Sequence, residues 1–79
     1  MMKQQWAAYV YSTELVQDNK AGSTTLNLSC EHAGQTSLVA RVVYWDAMGH
    51  FFLETLGRDV PVTIVEKLIA EAHQRIKIK

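Results

Sequence analysis

The sequence predicts an α+β fold, in which a four-stranded antiparallel β-meander is followed by one C-terminal α-helix (ββββα). Four segments are rich in β-branched, aromatic or alternating apolar residues, and short turn sequences with glycine separate them. After the only proline, the apolar residues recur at helical spacing instead. A chain of 79 residues is enough for one domain, so we expect residues 1–79 to fold together.

The first two strands are predicted at about residues 5–13 and 24–31. In the first, WAAYVYS is rich in aromatic and β-branched residues, which favour strands. The QDNKAGS that follows has the composition of a turn. In the second, TTLNLSCE alternates polar and apolar side chains, which is typical of a strand with one face on a core and one in water.

The third and fourth strands are predicted at about residues 36–47 and 50–56. DAMG at their junction has Asp at the first and Gly at the fourth turn position, as a type I turn prefers. The third strand differs from the second because large apolar side chains occupy both of its faces. Both faces of the sheet therefore need to be covered at this strand.

The helix is predicted at about residues 61–76. Proline is well tolerated in the first turn of a helix, and Pro61 stands at that position. The apolar positions that fall on one stripe at helical spacing are Val62, Val65, Leu68, Ile69, Ala72 and Ile76. One such stripe can cover only one face of the sheet, so the other face is expected to stay open.

Strand alternation divides the side chains of the sheet into a helix-facing set and an open-face set. The predicted helix-facing set is Trp6, Ala8, Val10, Leu26, Leu28, Cys30, Leu38, Ala40, Val42, Tyr44, Phe51 and Leu53. The predicted open-face set is Tyr9, Tyr11, Val39, Arg41, Val43, Trp45, Phe52 and Glu54. A shift of one residue in register would exchange the two sets.

The open face is predicted to be an interface between two copies of the chain. Aromatic side chains and arginine are enriched at interface centres, and the residues concerned are Tyr9, Tyr11, Val39, Arg41, Val43, Trp45 and Phe52. A chain of this length has a marginal core, and its single cysteine cannot form an intramolecular disulfide. Because most soluble oligomers are closed and homomeric, we expect a homodimer that acts as a non-enzymatic binding or interaction protein.

Two other functions stay open at this point. A ligand-binding protein or enzyme with a pocket between subunits could use His50 and Glu54, together with Tyr11 or Arg41, because a histidine near carboxylates can transfer protons. A regulatory partner of a larger protein, of the antitoxin or immunity type, would instead present the open face to that protein. Both alternatives depend on the same strands as the homodimer.

Composition argues against several classes of function. Eight basic and eight acidic residues cancel, so we expect neither a nucleic-acid binder nor a binder of anionic membranes. No apolar run is long enough to span a membrane. We expect no cofactor and no metal, because Cys30 and the three histidines lack ligand spacing and Cys30 lies on the apolar side of its strand. A lone cysteine without signal-peptide features predicts a cytoplasmic protein.

Overall fold

The structure, a computed structural model, describes the backbone of residues 3–6 and 9–76 and the side chains of residues 9–76. Its elements, in chain order, are β1 (Lys3–Trp6), β2 (Tyr9–Asp18), β3 (Ser23–His32), β4 (Gln35–Trp45), β5 (His50–Thr55) and α1 (Val62–Arg75). Each strand pairs antiparallel with the next, in the order β1-β2-β3-β4-β5. The predicted α+β class, with an antiparallel meander followed by a C-terminal helix, is confirmed, and the short β1 extends the sheet at one edge.

The main difference in boundaries lies near the N-terminus. One strand is predicted at about residues 5–13, whereas the structure has β1 and then β2, which continues to Asp18. The extension forms because Leu15 and Val16 pair with Leu26 and Thr25 of β3. DAMG connects β4 to β5 as predicted, and α1 begins and ends within one residue of its predicted limits.

The β3–β4 hairpin has a two-residue turn in which both residues take a positive φ. The φ of Ala33 is 53° and that of Gly34 is 78°. This is the type I′ arrangement, whose first position favours asparagine because its side chain tolerates left-handed backbone. Ala33→Asn should therefore raise the free energy of unfolding by up to about 1 kcal/mol in urea titrations. Ala33→Val should lower it, and equal midpoints for the two variants would contradict the turn geometry.

The core lies between α1 and the part of the sheet that β2, β3 and β4 form. The large side chains with almost no exposure are Leu26, Leu28, Val39, Ile64 and Leu68. The predicted helix stripe omits Ile64, and it includes Val62, which is 73% exposed. The buried side of the helix follows a four-residue spacing through Ile64, Leu68 and Ala72. The helix therefore crosses the middle of the sheet and leaves most of β5 uncovered.

The predicted faces of β2 are wrong. Tyr11 pairs with Cys30 of β3, so the odd-numbered residues of β2 face the helix. Tyr11 is 5% exposed within the core, and Tyr9 lies on the same side two residues earlier, whereas Val10 belongs to the open face. This corrects the predicted open-face positions of Tyr9 and Tyr11 and the predicted helix-facing position of Val10. Alternation could not separate the two sets because both contain apolar residues.

A β-bulge in β4 exchanges the predicted faces of Leu38 and Val39. Leu28 pairs with Ala40 and Ser29 pairs with Leu38, which leaves Val39 without a partner on β3. Val39 is 2% exposed in the core and Leu38 is 39% exposed, the opposite of what strict alternation predicts. The predicted open-face position of Val39 and the predicted helix-facing position of Leu38 are therefore wrong.

Most of the other predicted helix-facing side chains are confirmed. The buried ones are Leu26, Leu28, Cys30, Ala40, Val42 and Tyr44. Phe51 packs against this core, whereas Leu53 is 47% exposed because the helix does not extend over that part of β5. Ala8 and the side chain of Trp6 lie outside the described residues.

A polar contact joins α1 to β2. Thr13 is 3% exposed on the helix side of β2, and its Oγ1 donates to the carboxylate of Glu71, with oxygen separations of 2.8 and 3.0 Å. Arg75 Nη1 donates to Glu71 Oε2 at 2.7 Å. Burial by itself would raise the pKa of Glu71, but the hydrogen bonds from Arg75 and Thr13 outweigh burial and lower this pKa.

The lowered pKa of Glu71 makes part of the stability sensitive to acid. A carboxyl group with a lower pKa in the folded chain stabilises the fold above its unfolded pKa, and this contribution is lost as the pH falls through the folded pKa. The free energy of unfolding in urea should therefore fall as the pH drops below about 4.5. Glu71→Gln should lower it at neutral pH by about 1–3 kcal/mol and weaken the dependence on acid. Glu66→Gln, exposed on the same helix, is the control, and equal acid dependence in both variants would contradict the prediction.

Candidate functional site

The open face of the sheet is polar where β2 and β3 form it. The side chains on this part are mainly those of Ser12, Glu14, Asn27 and Ser29, which pair across the two strands. These polar positions agree with the alternation in TTLNLSCE, which predicts a strand with one face in water. This half of the open face needs no apolar partner.

The open face becomes apolar toward β4 and β5. Val43 pairs with Phe52 on one side and Thr25 on the other, and Trp45 follows on the same face of β4. Val43 is only 5% exposed because these neighbours surround it. Trp45 is 38% and Phe52 41% exposed, so both aromatic side chains remain in contact with solvent.

An ion pair lies beside these aromatic side chains. Arg41 Nη2 donates to Glu54 Oε1 at 2.9 Å, and Arg41 Nε donates to Glu54 Oε2 at 3.2 Å. The hydrogen bonds to Glu54 raise the pKa of Arg41 above its ordinary value. Because both side chains are well exposed, the pair contributes little to stability. Its effect is to hold two opposite charges next to Phe52.

Exposed apolar side chains continue around the free edge of β5, where Leu53 is 47% and Leu56 is 37% exposed. Ile69 of α1 is also 37% exposed. It lies on the side of the helix that faces β5, since His73 one turn later contacts Phe51 with ring centroids 4.9 Å apart. We name the set of exposed apolar residues around this edge the β5 patch: Trp45, Phe52, Leu53, Leu56 and Ile69.

A cavity of about 710 Å³ opens on the helix side of the sheet, where β2 begins and β3 ends. Its walls come from β2, β3, β4 and the segment that precedes α1. The lining residues that matter for its chemistry are Tyr9, Tyr11, Cys30, His32 and Arg58. Tyr9 stacks on His32, with ring centroids 4.4 Å apart and an angle of 25° between the rings.

The cavity suits binding better than covalent catalysis. Cys30 is 2% exposed and lies opposite Tyr11 on the neighbouring strand, while His32 stacks on Tyr9. Burial, followed by the proximity of the Cys30 thiol, raises the pKa of Tyr11. The raised pKa moves the phenol of Tyr11 further from the neutral range, so this group is not poised to accept a proton from the thiol. These side chains can instead stack on a ligand and form hydrogen bonds with it.

The predicted ligand residues do not converge on this cavity. His50 and Glu54 lie on the open face of β5, on the opposite side of the sheet. Of the two residues grouped with them in the ligand-binding hypothesis, Tyr11 lines the cavity and Arg41 does not. The place of Arg58 in the cavity cannot be predicted from the sequence, because the tertiary fold alone brings its loop to the end of β3.

The described part of the chain has neither a metal site nor a membrane-spanning helix. Within residues 9–76, no group of three or more His, Cys, Asp or Glu side chains is arranged to hold a metal ion. No helix that the structure describes is both long and apolar enough to cross a membrane. The chain was compared with protein-family models, curated proteins and solved structures, and none of them matches.

Proposed function

We propose that this chain is a non-enzymatic interaction protein that forms a homodimer through the β5 patch. The observation that carries the proposal is that large apolar side chains stay exposed on both sides of one sheet edge. Trp45 and Phe52 lie on the open face, and Leu53 and Ile69 lie on the helix side. Contiguous apolar surface that contains aromatic residues and a nearby arginine is typical of protein interfaces.

The composition of β5 supports association at this edge. Edge strands of monomeric proteins usually carry lysine, proline or a bulge, which prevent pairing with another chain. The sequence of β5, HFFLET, has neither lysine nor proline, and its register with β4 is uninterrupted. Its one acidic side chain, Glu54, is already paired with Arg41. The other edge strand, β1, has only four residues and begins with Lys3.

Thermal unfolding at different protein concentrations tests the proposal. A dimer that dissociates on unfolding has a Tm that rises with protein concentration, by mass action. We expect such a rise between about 1 and about 100 µM for the native sequence. Phe52→Glu should abolish the rise. A Tm independent of concentration would contradict the homodimer. A monomer that binds a different protein through the β5 patch would also contradict it, and this outcome would favour a regulatory role.

The cavity supports a second function, the binding of a small planar molecule. Its volume of about 710 Å³ falls within the range of small-molecule sites. Tyr9 is 37% exposed and stacks on His32, so its ring offers a surface on which another ring can lie. Arg58 also lines the cavity and adds hydrogen-bond donors, next to the carboxylate of Asp59.

A thermal-shift screen with a metabolite library tests this second function. A molecule that binds the folded chain raises the Tm, and Tyr9→Ala should remove that rise. His50→Ala is the control, because His50 lies on the other side of the sheet. Loss of the rise in His50→Ala but not in Tyr9→Ala would contradict binding in the cavity.

A further inference from the structure

The backbone of β5 offers unpaired hydrogen-bonding groups at defined positions. The Leu56 amide donates to the Val39 carbonyl at 3.0 Å, in line with the register that pairs β4 and β5. Hydrogen-bonded pairs alternate along an antiparallel ladder. The backbone groups of residues 50, 52 and 54 therefore point toward β4. Those of Phe51, Leu53 and Thr55 point away from the sheet, at the edge that no described strand covers.

We propose that β5 of a second copy pairs antiparallel with this edge, with the two-fold axis at Phe52. This register rests on the homodimer proposed above and makes it specific. Phe52 then lies opposite Phe52 of the second copy, and Phe51 lies opposite Leu53 of the second copy. His50 lies opposite Glu54 of the second copy. The outward backbone groups of Phe51 and Leu53 form the hydrogen-bonded pairs between the two copies.

The chemistry of the opposed side chains favours this register over the two registers with the axis one residue away. With the axis at Leu53, Phe52 would face the carboxylate of Glu54. With the axis at Phe51, His50 would face Phe52 and Leu53 would face Gly49. Only the axis at Phe52 places apolar side chains opposite apolar ones and a basic side chain opposite an acidic one, which stabilises cross-strand pairs. Glu54 would then lie between Arg41 of its own chain and His50 of the second copy.

The same register brings exposed apolar residues of the two copies together on both sides of the edge. A two-fold axis perpendicular to the sheet keeps both open faces on one side, so Trp45 and Phe52 of the two copies form one aromatic surface. On the helix side, Leu53 meets Phe51 of the second copy beside the exposed Ile69.

Cysteine substitution followed by mild oxidation tests the register. Opposed residues of a non-hydrogen-bonded pair have Cα atoms about 4.5 Å apart, a distance that a disulfide can span. Phe52→Cys should therefore give a covalent dimer on a non-reducing gel. Phe51→Cys and Leu53→Cys should not, because each is separated from its own copy by about 8 Å in this register. The native sequence is the background control, since its Cys30 is buried. Cross-linking at Phe51 or Leu53 in place of Phe52 would overturn the proposal.

Charge variants test the same register without introducing cysteine. His50→Glu places two carboxylates opposite each other twice in every dimer, so it should weaken dimerisation about 5- to 30-fold in sedimentation equilibrium. His50→Lys should preserve it. Gln74→Glu makes the same charge change at an exposed helix position and should have no effect. A stable dimer with none of these effects would overturn the edge register while leaving self-association intact, whereas a monomeric native protein would overturn both.

Discussion

Leu68→Ala should lower the free energy of unfolding by about 2–5 kcal/mol, as is typical when a buried leucine is truncated and a cavity is left behind. Leu68 has no exposed surface and lies where α1 packs on the sheet. For a chain of this length the total stability is about 4–12 kcal/mol, so the loss is a large part of it. Urea titrations at one fixed protein concentration would measure it.

Val62→Ala is the matched control for Leu68→Ala. Both substitutions remove an aliphatic side chain from the same helix, but Val62 is 73% exposed. We expect a change within about 0.5 kcal/mol for this surface position. Equal losses in the two variants would show that the helix does not use its Ile64, Leu68 and Ala72 side to contact the sheet.

Phe52→Glu should weaken the homodimer by about 100-fold or more. An aromatic hot-spot residue at the centre of an interface contributes about 2 kcal/mol or more, and a two-fold axis repeats the loss. The substitution also places two carboxylates next to each other at the axis. Because Phe52 is 41% exposed in the single chain, the fold itself should be affected far less. Sedimentation equilibrium and a urea titration of the same sample would separate the two effects.

Val16→Glu is the matched control for Phe52→Glu. Val16 is also 41% exposed, and it lies on the same open face and in the same row across the sheet, but on β2. It should leave dimerisation unchanged. Dissociation by Val16→Glu as strong as that by Phe52→Glu would contradict association at the β5 edge and would favour the whole open face as the interface.

The sequence predicts the order and type of the elements because their local patterns are strong. TTLNLSCE alternates cleanly, and DAMG has the residues that a tight turn prefers. The faces of β2 are less predictable, since its core side includes Thr13. The hydrogen bond to Glu71, 58 positions later, helps to make that buried hydroxyl acceptable. A local pattern cannot reveal such a distant partner.

The bulge in β4 limits how much of the candidate site can be predicted from the sequence. Leu38 and Val39 are both aliphatic, so nothing in the sequence says which of them leaves the core. The structure places Val39 inside. Arg41, Val43, Trp45 and Phe52 lie on the open face, where alternation places them. The exposed edge formed by Leu53 and Ile69 depends on where the helix crosses the sheet, which the periodicity of either element alone does not determine.

The mass of the native protein in solution shows directly whether the chain forms a homodimer. Sedimentation equilibrium between about 1 and about 100 µM gives this mass without a label or a variant. Self-association through β5 predicts a mass that rises with concentration to twice the 8.9 kDa of the chain and stops there, as a closed two-fold dimer requires. A constant mass of 8.9 kDa over that range would rule out self-association through β5.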